Sequence, residues 1–294
     1  MTADDRDTQA LLIGGALVLT LGFVELLAVA GFAAGAPISW WQLPAAVLLA
    51  GGWQALAARK LGAAPRTLVT SVASFLAVLL GGVLVAGLVF DLSYDGQTYH
   101  QAAIVALGQG WNALGPPLTD ADTAHSGWLN VYAKGPWLVA SSIRAVTGRM
   151  QQAKAANLWL VAAALLLVLA AVAPLFRQRR GAWGLALLAA LNPVTLVQAL
   201  TFYVDGQLAS LLTILLALAA LSLRTPARAT LPVVAAALIA LANIKFTGLV
   251  YAVLFGGAVV LAPVAAKGMG ALLEGRRALP WVAGGVAAGA LLVG

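Results

Sequence analysis

The sequence predicts an all-α, polytopic transmembrane helical bundle, and three observations carry that expectation. First, 62% of the 294 residues are hydrophobic and only 9% are charged, against about 25% charged in soluble domains. Second, several uninterrupted apolar runs reach the ~20 residues that an α-helix needs to cross a bilayer core. Backbone groups in lipid must be satisfied internally, so such runs are helices or barrel strands. Barrel strands alternate polar and apolar residues, and these runs do not. Third, the basic residues collect in short connections between the runs.

In chain order the expected spans are 9–31, 40–57, 67–90, 153–176, 181–201, 207–223, 229–244, 246–266 and 280–294, about nine in this portion. The first follows Asp4, Asp5, Arg6 and Asp7. A secretory signal opens on a basic segment, so this run reads as a retained helix. Arg59, Lys60 and Arg66 follow the second run, and Arg177, Arg179 and Arg180 follow the fourth. Arg224 and Arg228 follow the sixth, and Lys267, Arg276 and Arg277 the eighth. All four clusters fall on one side, which the positive-inside bias makes cytoplasmic together with the N-terminus. Arg144, Arg149 and Lys154 fall on the outer side, in a long loop that weighs little in that rule. Within the fifth run, Asn192-Pro193 predicts a kink, because proline removes a helical N–H. Glu25 is a lone acid in the first run, expected to pair within the bundle or to sit near an end rather than to carry function. The last run stops after about 15 residues, short of a full span, which predicts further chain beyond it. Residues 1–66 then supply two additional N-terminal helices. Residues 67–294 form a C-terminally incomplete core with a long outer loop, 91–152.

The formal charge of +7 does not point to nucleic acid, since the aromatic interleaving of a nucleic-acid surface is missing. The chain has no cysteine, which excludes disulfides, thiolate metal sites and thiol catalysis.

Loop 91–152 holds most of the chemistry. Asp91, Asp95, Asp120 and Asp122 stand there against Lys134 in the stretch to Pro136. Asp95-Gly96 is expected to start a helix running to about Gly108, with Asp95 either capping it or serving as a general base at the membrane surface. Tyr99 falls one turn on, on the same face. Segment 136–148, apolar at Trp137, Leu138, Val139, Ile143 and Val146, is too short to span and is expected to lie along the outer interface. At another outer junction Asp205-Gly206-Gln207 echoes Asp95-Gly96-Gln97, as a helix cap or as a second ligand for hydroxyl groups. Lys245 interrupts the apolar sequence between the seventh and eighth runs, where it can snorkel to the interface. His125 and Asp122 are spaced like metal ligands in an unconstrained loop. No metal is required, although oxygen-rich loops can hold a divalent cation.

The order of these features resembles the GT-C superfamily of membrane glycosyltransferases, in the branch of protein O-mannosyltransferases and the aminoarabinose transferases of lipid A. The likeness covers about residues 67–265. It rests on span 67–90, Asp95-x-x-x-Tyr99, the helix closing in Gly110-Trp111-Asn112, and Lys134-Gly135-Pro136. Those families carry Pro where Gly135 stands and a second acid where Gly96 stands. The resemblance implies transfer of a sugar from a polyprenyl-phosphate donor to a glycan, lipid or protein acceptor on the outer face. It implies Asp95 as general base with Asp91 second, and Lys134 on the leaving phosphate, with Arg144, Arg149 and Lys154 as alternatives. Tyr99, His100 and Asp205 then bind the sugar or the acceptor, and Lys245 lies near the carrier phosphate. Tyr99 has a second reading as an aromatic anchor of the interface. The alternatives to an enzyme are a transporter or flippase for lipid-linked glycans and a non-catalytic membrane subunit. Transporters place charges in midspan within broken, repeated helices, whereas the polar groups here collect at one face.

Overall fold

The computed structural model describes residues 3–267 and 272–290. Among them the chain is all-α. Its helices are α1 (Ala3–Ala33), α2 (Gln42–Lys60), α3 (Pro65–Gly87), α4 (Gln101–Gly108), α5 (Ser126–Val131), α6 (Gly135–Thr147), α7 (Ala155–Val172), α8 (Arg179–Ala190), α9 (Pro193–Gln198), α10 (Asp205–Ser222), α11 (Ala227–Ala242), α12 (Phe246–Lys267) and α13 (Leu272–Ala290). Four helical stretches are long and apolar enough to cross a membrane: Asp5–Ala33, Pro65–Gly87, Met150–Leu175 and Asp205–Ser222. Their composition makes this a membrane protein by the same length argument that applies to the sequence.

Helix α1 is the hub, packed against α2, α3, α7 and α11. Its approach to α11 is close because Gly22 has no side chain: a Cβ there would stand 2.7 Å from that of Ala236. Small residues at such crossings let helices gain van der Waals contact where lipid offers no hydrophobic driving force. Helix α3, by contrast, exposes Val69, Leu76, Leu80 and Leu84, an apolar stripe suited to hydrocarbon rather than water.

The two ends of the bundle differ in charge. At one end, Arg179 pairs with Asp7 at 2.6 Å, and Arg224 donates to the carbonyl of Ala170 at the close of α7. Arg66 shares a recess there with Asp5 and Gln9. The side chains of Lys267, Arg276 and Arg277 lie outside the described residues, as do residues 291–294 of the last expected span. At the opposite end, Asn112 donates 2.9 Å to the Phe32 carbonyl where α1 finishes.

Two expectations need correction. The fifth run is broken rather than kinked: α8 stops at Ala190, and α9 restarts at Pro193. Asn192 caps the new helix by accepting from the Thr195 N–H at 3.1 Å, and proline suits a first helical position, where its missing N–H has no partner to lose. Segment 136–148 does form a helix, α6, but it is packed into the protein rather than exposed with one apolar and one polar side. Residues 135–143 are all buried. Ser142 satisfies itself on the Leu138 carbonyl at 2.9 Å, so its polarity does not require water.

Candidate functional site

The site is built where the chain leaves α3 and turns back. A helix begins at Tyr94, passes through one π turn, Gly96–His100, and continues as α4 to Gly108, the end the sequence predicts. Asp95 does not cap it: its backbone is already helical, one residue into the first turn, and its side chain makes no capping bond. Instead the Tyr99 hydroxyl donates 3.1 Å to Asp95 Oδ2. Oδ1 has no hydrogen-bond partner among the described residues, and the half-buried carboxylate keeps a free edge. Such π turns recur at functional positions because they redirect side chains without ending the helix.

Asp91 is different. It is 3% exposed, and both its oxygens are taken: Oδ1 accepts from the Ser93 N–H at 2.8 Å and Oδ2 from the Phe202 N–H at 2.7 Å. Its own N–H donates to Gln151 Oε1 at 2.9 Å. The same Gln151 oxygen receives Lys154 Nζ at 2.6 Å, and Lys154 also donates to the Val89 carbonyl. Asp91 therefore ties the start of the site to the segment before α10, with each of its oxygens engaged by a backbone N–H. Gly96 packs against this carboxylate and Ser93 Oγ so closely that a Cβ would collide with both. An acidic residue, expected there from the family resemblance, has no room.

His100 is buried behind Asp95. The Trp137 indole N–H donates 2.7 Å to its Nδ1, which leaves the ring proton on Nε2. Burial pushes its pKa down to about 4, against the opposing pull of Asp95, Asp91 and Asp205. The imidazole is thus neutral at physiological pH, and three carboxylates lie within its electrostatic reach. Around it stand Tyr99, with ring centroids 4.4 Å apart, and Tyr132, edge-on at 5.8 Å. Tyr132 stacks on Trp137, and Tyr99 on the exposed Trp128. Burial, then the neighbouring Tyr132 and Asp95, drives the Tyr99 phenol well above its usual range. It remains a hydrogen-bond donor.

Asp205 does not cap α10. It forms an ion pair with Lys245 and accepts from Gln198 Nε2 at 3.4 Å, while Gln198 Oε1 takes the Gly206 N–H at 2.7 Å. Gln207, the third member of the triplet, donates 2.7 Å to Asn157 Oδ1. Both charges of the Lys245–Asp205 pair act on the Tyr132 phenol, as does Asp95, so the pair and Asp95 lie within electrostatic reach of the same ring.

Lys134 is the chief departure. Its side chain is buried and donates 2.7 Å to the Asn130 carbonyl. Burial alone lowers its pKa, and it forms no ion pair with Asp95. Among the described residues Lys245 is the cation ion-paired with an acid of this group, and Lys154 lies within electrostatic reach of Asp91. Arg144 lies against Gly108 at the far end of the helix, a position about 20 Å along the axis from Asp95 at 1.5 Å per residue, and does not join the cluster either. The next residue, Gly135, explains the missing proline: its N–H donates 3.1 Å to the Asn243 carbonyl. A Cβ there would stand 2.6 Å from that of Asn243 and 3.1 Å from Glu25 Oε1. Glu25 in turn accepts from Asn243 Nδ2 at 2.9 Å, the pairing within the bundle that a lone acid requires.

In the loop, Asp122 accepts from Thr119 N and Oγ1, both at 2.8 Å, and Asp120 accepts from Ser126 Oγ. Those oxygens hold turns, and among the described residues no three His, Asp or Glu side chains are gathered as metal ligands. Sequence reasoning overlooked Tyr132 and Trp137, the partners that organise His100. Their signal was proximity to Lys134-Gly135-Pro136, where Trp137 looked like one more apolar residue of a surface helix. No protein-family model, curated protein or solved structure matches this chain.

Proposed function

We propose that this chain is a membrane glycosyltransferase that moves a sugar from a polyprenyl-phosphate donor to a hydroxyl acceptor at the end of the bundle opposite its basic connections. The proposal includes about nine spans, a cytoplasmic N-terminus and an outward-facing site in loop 91–152. The observation that carries the reading is the clustering of Asp95, with one unengaged oxygen, and the Lys245–Asp205 pair around Tyr99, Tyr132 and His100.

Each group has a task that this chemistry needs. The acceptor hydroxyl attacks the anomeric carbon while Asp95 Oδ1 takes its proton. The bond from that carbon to the phosphate oxygen breaks, and the departing electron pair stays on the phosphate. A fixed cation lowers the energy of that developing charge, a role suited to Lys245 rather than Lys134. Tyr99 orients the base through Oδ2, and the neutral His100 offers its Nε2 proton to a sugar oxygen. Asp91 holds the loop in place. The glycan or lipid acceptor needs no metal in this scheme.

Asp95→Asn tests the reading with purified protein and a polyprenyl-phosphate sugar donor. Release of polyprenyl phosphate falls at least 100-fold, the usual contribution of a positioned base, with folding and expression unchanged. Full transfer by that variant, or protein-mediated movement of the donor across vesicles without any transfer, would eliminate the enzyme reading.

A further inference from the structure

The basic end of the bundle carries a second feature that the proposed transfer chemistry does not use. Between α1, α7 and α8 lies a recess of about 340 Å³ lined by Arg6, Gln9, Ala10, Ile13, Leu166, Leu169, Arg179 and Trp183. Its composition is graded along α1. Arg6 and Gln9 stand at the helix end and Ile13 two turns further in, about 10 Å away at 1.5 Å per residue. Ala10, Ile13 and Leu169 belong to the packed core and form an apolar floor. Trp183, 39% exposed, forms the outer wall, an amphipathic ring suited to the level of lipid headgroups.

The charge of the rim is positive. Arg179 is partly neutralised by Asp7 at 2.6 Å, whereas Arg6 is exposed and forms no ion pair among the described residues. Arg177 and Arg180 flank the rim and are exposed. Asp5 lines a different recess, with Arg66 and Thr67. A cationic mouth above an apolar trough fits a molecule with an anionic head and a hydrocarbon tail. We infer that this recess is a binding site for an anionic phospholipid, with its phosphate at Arg6 and Arg179 and the first part of an acyl chain along Ile13, Leu166, Leu169 and Trp183. Basic pockets between transmembrane helices recognise anionic headgroups by this combination, and each cation near the surface contributes about fivefold in affinity.

The test uses the full chain in vesicles of phosphatidylcholine containing increasing amounts of phosphatidylglycerol or phosphatidylcholine with brominated acyl chains. Quenching assigned to Trp183 is the difference between the protein and Trp183→Phe. The site predicts half-maximal Trp183 quenching at about fivefold less brominated phosphatidylglycerol than brominated phosphatidylcholine. Arg6→Gln, an exposed change whose folding is checked by circular dichroism, brings the two lipids to parity. Arg59→Gln/Lys60→Gln, at the same end but outside the recess, leaves the preference intact. Equal quenching by both lipids in the unaltered protein overturns the inference. So does a preference that survives Arg6→Gln, or one lost equally in the Arg59/Lys60 variant, which would mean that diffuse surface charge attracts the lipid.

Discussion

Protonation of His100 should set a measurable part of this protein's acid sensitivity. The imidazole is 1% exposed, and its pKa falls from 6.5 to about 4 in the folded state, chiefly because burial penalises the cation. A depressed folded pKa means that the unfolded chain binds more protons between those two values. Stability is therefore complete above pH 6.5 and is lost as pH falls towards 4. Across the full window the shift of about 2.5 units corresponds to ~3 kcal/mol, at 1.36 kcal/mol per unit. Between pH 7.5 and pH 5 the same linkage gives a loss of about 2 kcal/mol. His100→Gln offers an oxygen to the Trp137 indole but cannot be protonated, so it lacks this component. Reversible unfolding in mixed micelles at the two pH values measures both proteins. The unaltered chain should lose about 2 kcal/mol more than His100→Gln. Parallel losses would mean that the histidine is not held neutral by burial, and that the packing of Tyr99, Tyr132 and Trp137 around it is misjudged.

Other substitutions separate support from chemistry. Asp91→Asn replaces one of two carboxylate oxygens that accept buried backbone N–H groups and should cost about 1–3 kcal/mol. Micelle unfolding should register that loss while Asp95→Asn, altered at a free edge, unfolds like the parent. Gly135→Ala forces a Cβ against Asn243, and overpacking of this kind costs about 1–3 kcal/mol; an unchanged unfolding midpoint would show that α11 can yield there. At Glu25, Gln keeps an acceptor for the Asn243 amide, whereas Ala leaves that buried group unsatisfied. Glu25→Ala should therefore be less stable than Glu25→Gln by about 1–3 kcal/mol, with equal stabilities counting against the pairing.

Some of this protein could be read from residue order alone, because the cause is local or compositional. Apolar runs in α1, α3, α7 and α10 must be helical wherever water is absent, whatever they touch. The helix from Asp95 to Gly108 follows from its own residues, and so does the break at Asn192-Pro193, where a missing N–H and a capping side chain act within one turn. The placing of Asp95 beside Tyr99 is equally local. Other features depend on partners distant in sequence. Asp91 and Phe202 are joined across 111 positions, and Asn243 meets Glu25 across 218. Whether α6 floats on the surface or sinks into the bundle turns on the space left by α1, α4 and α7, not on its own polarity. Lys134 and Lys245 have the same side chain, and either can serve an anion. Tertiary packing buried the first against a backbone carbonyl and set the second, partly exposed, against Asp205, since each charge takes whichever partner the fold brings within reach.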